Sequence, residues 1–328
     1  MRITLFVCLF IIGGLTAPAQ KITYDQPPNL PQKVSIADYR FIVDSSVAIV
    51  KTRYKVAFVK GGTIFVLIGK DTASVNLDNL VLKCLAEQDR SVWNTVIRGH
   101  FSNLFVSIDA QNQLDPKNYE TVKKSLSLRI YPKETVDARG GPEQLVARTD
   151  MDGTYTLLML DLPGAFTPVQ KKMFDGWNKD QAEVFRAAQE NVDTQKMEKT
   201  TQSFDFQGSH VEITIIGNEN YAASYALNLM NNSPELVGEW GCVVSMPNKA
   251  LVNLCKISRE KPLDFVKFIQ MTLPFNEKAY RDHPQPISDH YFWYYKGTFT
   301  LIAVMTDDKG GVQVVAPVAL GELMSKKQ

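Results

Sequence analysis

Trp240-Gly241-Cys242-Val243-Val244-Ser245-Met246 and Leu251-Val252-Asn253-Leu254-Cys255-Lys256-Ile257 flank the short segment Pro247-Asn248-Lys249-Ala250. Apolar and β-branched residues crowd both arms, and Pro-Asn between them is turn chemistry, so the stretch reads as a β-hairpin. A second hairpin is expected upstream, where Tyr54 to Val59 and Thr63 to Ile68 are split by Gly61-Gly62, the pairing that suits a tight primed turn. Downstream, Tyr291 to Tyr295, Thr298 to Met305 and Val312 to Val315 read as three more strands, with Thr154 to Asp161 and His210 to Ile216 between. Hairpins therefore outnumber strand–helix–strand crossovers. The expected class is α+β, a largely antiparallel sheet or sheets with helices packed on one face.

The helices are read from apolar stripes and caps. Asn76 precedes a stripe of Leu77, Leu80, Val81, Cys84 and Leu85, and a second runs through Trp93, Val96, Ile97, His100, Leu104 and Ile108. Asn178 with Gln181 resembles a capping box ahead of Phe185 and Ala188. Further helices are expected over Ala222 to Met230 and near Asp264 to Met271.

The N-terminus reads as an export signal. Met1-Arg2 is followed by the apolar run Ile3 to Ile12 and then Ala17-Pro18-Ala19, which places cleavage before Gln20. The run is too short to span a bilayer, which takes about twenty apolar residues. The mature chain is thus expected in a periplasmic or extracellular space, with no transmembrane segment. Residues 20–52, which include Pro27-Pro28-Asn29-Leu30-Pro31, read as an extension or tether. Residues 53–328 read as the folded α+β region, with a weak sub-boundary near 140–150. The net charge of +1 argues against nucleic acid as a partner. That leaves a protein or a small ligand as the expected partner.

The hairpin also raises a redox question. With the turn centred between Asn248 and Lys249, Met246 faces Leu251 and Cys242 faces Cys255, close to disulfide reach. In an oxidising compartment the pair is a disulfide candidate; the alternative is two buried thiols. Cys84 reads as core.

No motif commits the chain to one chemistry. There is no His-Glu-x-x-His, no paired cysteines at zinc spacing, no phosphate-cradling loop and no nucleophile elbow, and no cofactor is called for. Ser258-x-x-Lys261, Ser288-Asp289-His290 and Lys296-Gly297-Thr298 echo the penicillin-recognising enzymes. However, the second lacks its Asn, the third has its last two residues swapped, and Ser258 ends a strand. The densest polar cluster is Arg281-Asp282-His283-Pro284-Gln285-Pro286-Ile287-Ser288-Asp289-His290. Asp282, His283, Asp289 and His290 are the candidate catalytic or metal-binding residues if this loop folds back on itself; otherwise the prolines make it a rigid connector. Tyr291-Phe292-Trp293-Tyr294-Tyr295 reads as a strand with alternate rings in the core and on the surface rather than a stacking platform.

Several segments resemble the YtpQ-like family of uncharacterised bacterial proteins. They are Leu77-Asp78-Asn79-Leu80, Ile130-Tyr131-Pro132-Lys133 and Leu160-Asp161-Leu162-Pro163-Gly164-Ala165-Phe166. Trp177, Ala188-Gln189-Glu190-Asn191-Val192, Asn220-Tyr221-Ala222-Ala223-Ser224, Val243-Val244-Ser245-Met246-Pro247-Asn248 and Pro286-Ile287-Ser288 continue the likeness. It spans Arg53 to Met305 and implies a shared fold without a reaction. The two functions carried forward are a non-catalytic envelope or secreted binding protein, and a hydrolase or metal-dependent enzyme built on the 282–290 loop.

Overall fold

A computed structural model describes residues 7–8, 21–27, 30, 34–68, 71–87, 89–113, 115–138, 140–163, 165–308 and 310–326. The proposed cleavage site lies outside these residues. The chain divides into two compact units. One is residues 2–115 with 161–167; the other is residues 116–160 with 168–328.

The N-terminal unit holds β1 (Val7–Cys8), β2 (Lys55–Lys60), β3 (Thr63–Ile68) and β4 (Asp71–Asn76), in the antiparallel order β1-β4-β3-β2. Gly61 and Gly62 both take positive φ, 54° and 75°, as the primed turn between β2 and β3 requires. Asn76 Oδ1 accepts from the Asp78 amide at 2.7 Å just ahead of the helix Asp78–Ala86, whose N-cap position is Leu77 rather than Asn76. The helix Trp93–Gln113 follows, burying Trp93, Ile97, His100, Phe101 and Leu104.

The tether reading of 20–52 is corrected here. Ile36–Lys51 is a helix, with Ser35 accepting from the Asp38 amide at its start, and it buries Tyr39, Ile42, Val43, Val47 and Val50 in the core. Ahead of it, the Thr23 and Val59 amides donate to Val59 and Lys21 carbonyls at 3.0 Å each, so the chain is docked on β2 from residue 21. Burial of that apolar stripe drives the helix, and the prolines upstream only delay its start.

The C-terminal unit contains two sheets. In the first, β5 (Leu126–Pro132), β7 (Thr154–Leu162) and β6 (Ala147–Arg148) pair in that order; β8 (Ala165–Pro168) follows in sequence and, but for its last residue, is counted with the N-terminal unit. Against β5 packs the helix Gln181–Asp193, whose cap is Asp180, accepting from the Glu183 amide at 3.0 Å, rather than Asn178. Asn178 instead takes a left-handed φ of 50° two residues earlier.

The second sheet has β9 (Glu198–Phe206), β10 (Ser209–Gly217), β11 (Cys242–Asn248), β12 (Leu251–Lys256), β13 (Tyr291–Tyr295), β14 (Thr298–Thr306) and β15 (Val312–Val315). Their order is β15-β14-β13-β11-β12-β10-β9, and every ladder is antiparallel. The helix Asp264–Asp282 lays Phe265, Phe268 and Ile269 over one face, with Leu320 of the helix Val318–Ser325 in the same core. That helix runs on past Met271 through Pro274. The α+β class with antiparallel sheets stands. Among the described residues no helix is long and apolar enough to cross a membrane.

The disulfide expectation fails on register. Val243, not Cys242, lies opposite Cys255, and Cys242 lies opposite Lys256. The cause is an irregularity between Ser245 and Asn248, where β11 carries one residue more than β12. A one-residue slip turns a side chain to the other face of the sheet. Cys255 therefore joins Val243 and Phe268 in the helix-covered core, while Cys242 faces away, and Cys84, Cys242 and Cys255 are free buried thiols.

Candidate functional site

The 282–290 segment begins where the helix Asp264–Asp282 ends. Asp282 is exposed and ion-paired with Lys278 one turn back, whose hydrogen bond holds the carboxyl below its ordinary range. Asp289 and His290 pair with each other at 3.2 Å and are also exposed. Between the two pairs the chain is stitched along β11. The Ile287 amide donates to Pro247 O at 2.9 Å and the Ser288 amide to Met246 O at 3.2 Å, with Asn248 bridging Pro286. Asn276 Nδ2, from the helix, donates to Asp289 O at 2.7 Å. Among the described residues no group of three or more His, Cys, Asp and Glu is placed to hold a metal ion.

His283 alone of the four candidates turns inward. Its Nδ1 accepts from the Gln285 amide at 3.0 Å, a bond that leaves that nitrogen without a proton. Burial first, then the positive charge of Lys249, moves its pKa down, and Arg129 adds to the effect. The imidazole is thus neutral at pH 7.

Around His283 four chain segments meet. Arg129 of β5 is 2% exposed and donates through Nη1 to Gln285 Oε1 at 3.2 Å and through Nη2 to Asn220 Oδ1 at 3.1 Å. Lys249, in the β11–β12 turn, donates to the same Asn220 oxygen at 3.0 Å. Backbone geometry fixes each partner. Asn218 Oδ1 accepts from the Asn220 and Tyr221 amides at 2.9 and 3.0 Å, an Asx turn that aims Asn220. Asn248 Oδ1 accepts from the Ala250 amide, and Asn248 Nδ2 donates to Ala279 O, both at 3.0 Å, which ties the turn to the helix. Ser224 Oγ donates to Leu128 O at 2.6 Å beside Arg129.

Chemically this arrangement is a cross-brace. Its members hold amide oxygens, and the one imidazole commits its lone pair to the backbone. Arg129, Asn220, Lys249 and Gln285 were not among the sequence candidates. The available signal was Arg129 itself, a charged residue inside the apolar run Leu126-Ser127-Leu128-Arg129-Ile130.

Other candidates resolve as structure. Ser258 Oγ accepts from the Lys261 amide at 3.3 Å in a turn. In β13, Tyr291, Phe292, Trp293 and Tyr294 are all buried, with Tyr291 Oη at 2.9 Å from Thr272 Oγ1 and Trp293 Nε1 donating to Trp240 O at 2.7 Å. Ser233 Oγ lies 2.8 Å from Lys199 Nζ and 3.0 Å from Tyr225 Oη, a grouping with the parts of a serine–lysine nucleophile. Ser233 has no exposed surface, so no substrate carbonyl reaches it in this structure. No family model matches the chain, and neither a curated protein sequence nor a solved structure does.

Proposed function

We propose that the chain is exported and serves as a non-catalytic scaffold or binding protein of the cell envelope or extracellular space, engaging a protein or small ligand. The observation that carries this reading is how the 283–288 segment is used. Its backbone and Gln285 bond to β11 and to Arg129, which is the work of a connector joining two sheets. The export part rests on Ile3 to Ile12 and Ala17-Pro18-Ala19. The YtpQ-like resemblance belongs to the same proposal and brings no reaction with it.

A thermal-melt screen of the chain from Gln20 tests the reading. A ligand at about a hundred times its dissociation constant adds about 2.7 kcal/mol, readily seen as a raised Tm. Divalent metals and chelator are expected to leave Tm unchanged. Asp289→Asn and His290→Ala, at exposed positions, should stay within about 0.5 kcal/mol of wild type. A zinc-dependent rise in Tm that His290→Ala abolishes overturns the proposal in favour of a metal-dependent enzyme.

A further inference from the structure

We propose that β9 is a self-association strand, pairing antiparallel with β9 of a second copy about a two-fold axis at Gln202. β9 is the last strand of the seven-stranded sheet, and Glu198 through Asp205 are exposed. Edges of this length are ordinarily blunted by proline, bulges or inward charge. No proline or bulge interrupts β9, whose register with β10 is continuous over all nine of its residues, and the charges that also blunt edges, Glu198, Lys199 and Asp205, stand toward its two ends.

The hairpin fixes which groups face outward. Phe206 and Ser209 close the two-residue turn Gln207-Gly208, where both residues take positive φ (47° and 74°), the primed form. The closing pair is hydrogen-bonded in such turns, and the pattern alternates along the ladder. Phe204, Gln202 and Thr200 therefore also bond to β10. Lys199, Thr201, Ser203 and Asp205 direct their backbone N–H and C=O to the open edge. The contact at 2.8 Å between Thr201 Oγ1 and Thr214 Oγ1 fits a non-hydrogen-bonded pair, in which side chains stand closer.

The sequence of β9 is complementary to itself in this register. Pairing about Gln202 sets Lys199 opposite Asp205 of the second copy, Thr201 opposite Ser203 and Thr200 opposite Phe204, which is 39% exposed. Within one chain Lys199 lies 3.6 Å from the Glu235 carboxylate and Asp205 pairs with His210, so across the two-fold axis each exchanges an exposed partner for its opposite charge on the second copy, a pair that the symmetry makes twice. The facing hydrogen-bonded pairs are then the residues whose backbone already points outward. A register shifted by one residue would fail that match.

Two variants read this out. Ser203→Pro removes an outward N–H and leaves the bonds to β10 in place, since proline is tolerated where an edge N–H faces solvent. Gln202→Cys places a thiol against its own copy in a close pair, about 4.5 Å between Cα atoms, within disulfide reach. In sedimentation at micromolar concentration, wild type should have the mass of two chains and Ser203→Pro that of one. Under mild oxidant Gln202→Cys should cross-link to itself, while Thr200→Cys, facing Phe204, should not. A monomeric wild type overturns the inference. So does a Gln202→Cys cross-link no more abundant than that of Thr200→Cys, whether or not Ser203→Pro folds.

Discussion

His100 sits in the N-terminal core at 4% exposure, and its Nε2 has no hydrogen-bond partner among the described residues. Burial, helped by the positive charge of Lys83, moves its pKa down to about 4 from an ordinary value near 6.5. Between those two pH values the unfolded chain holds a proton that the folded chain does not, so folding stability falls as pH drops through that window and is untouched above it. The full loss is about 3 kcal/mol, at up to about 1.4 kcal/mol per pH unit. His283 acts with the same sign in the other unit. Urea unfolding at pH 7.5, 5.5 and 4.5 should show wild type losing more stability than His100→Leu, with the difference opening only below pH 6.5. Parallel pH profiles for the two chains would falsify this assignment.

At the scale of elements, the start of β11 depends on Gly241. Its φ is 84°, the Ile257 amide donates to its carbonyl at 2.9 Å, and a Cβ there would meet Tyr294 O and, at 3.0 Å, Trp293 Nε1. Gly241→Ala should cost about 2–5 kcal/mol, the sum of left-handed strain and overpacking. Gly61→Ala, also at positive φ but with open space around it, should cost only the first part, about 1–2 kcal/mol. Equal losses in chemical denaturation would show that packing against β13 contributes nothing. The strands that sequence made legible were those with an apolar face, such as β10 and β13. β9 escaped because Glu-Lys-Thr-Thr-Gln-Ser carries no alternation, its residues being exposed on both faces. The helix Ile36–Lys51 did show its period, in Tyr39, Ile42, Val43 and Val47, but proline chemistry just upstream suggested a tether. The Cys242–Cys255 pairing failed because an irregularity at Met246-Pro247 is a tertiary outcome that no local pattern announces. Of the residues gathered in the cross-brace only His283 stood among the sequence candidates, and there for a catalytic or metal-binding role, whereas Asn220 and Lys249 gain meaning only when the β11–β12 turn and the segment after β10 converge.

For the molecule as a whole, a sheet left open at β9 couples folding to assembly. The edge strand shares its ladder only with β10, and burial along it is slight, so β9 gains little from the core to which β10 contributes Val211 and Ile213. A second copy adds hydrogen bonds and side-chain pairs to the native state alone, and anything that binds only the native state raises apparent stability by mass action. For a dimer that unfolds to separate chains, each tenfold rise in concentration is worth about 1.4 kcal/mol. Calorimetric Tm of wild type should therefore climb across two decades of concentration, while that of Ser203→Pro stays flat. A wild-type Tm indifferent to concentration would place the stability of this protein wholly within one chain.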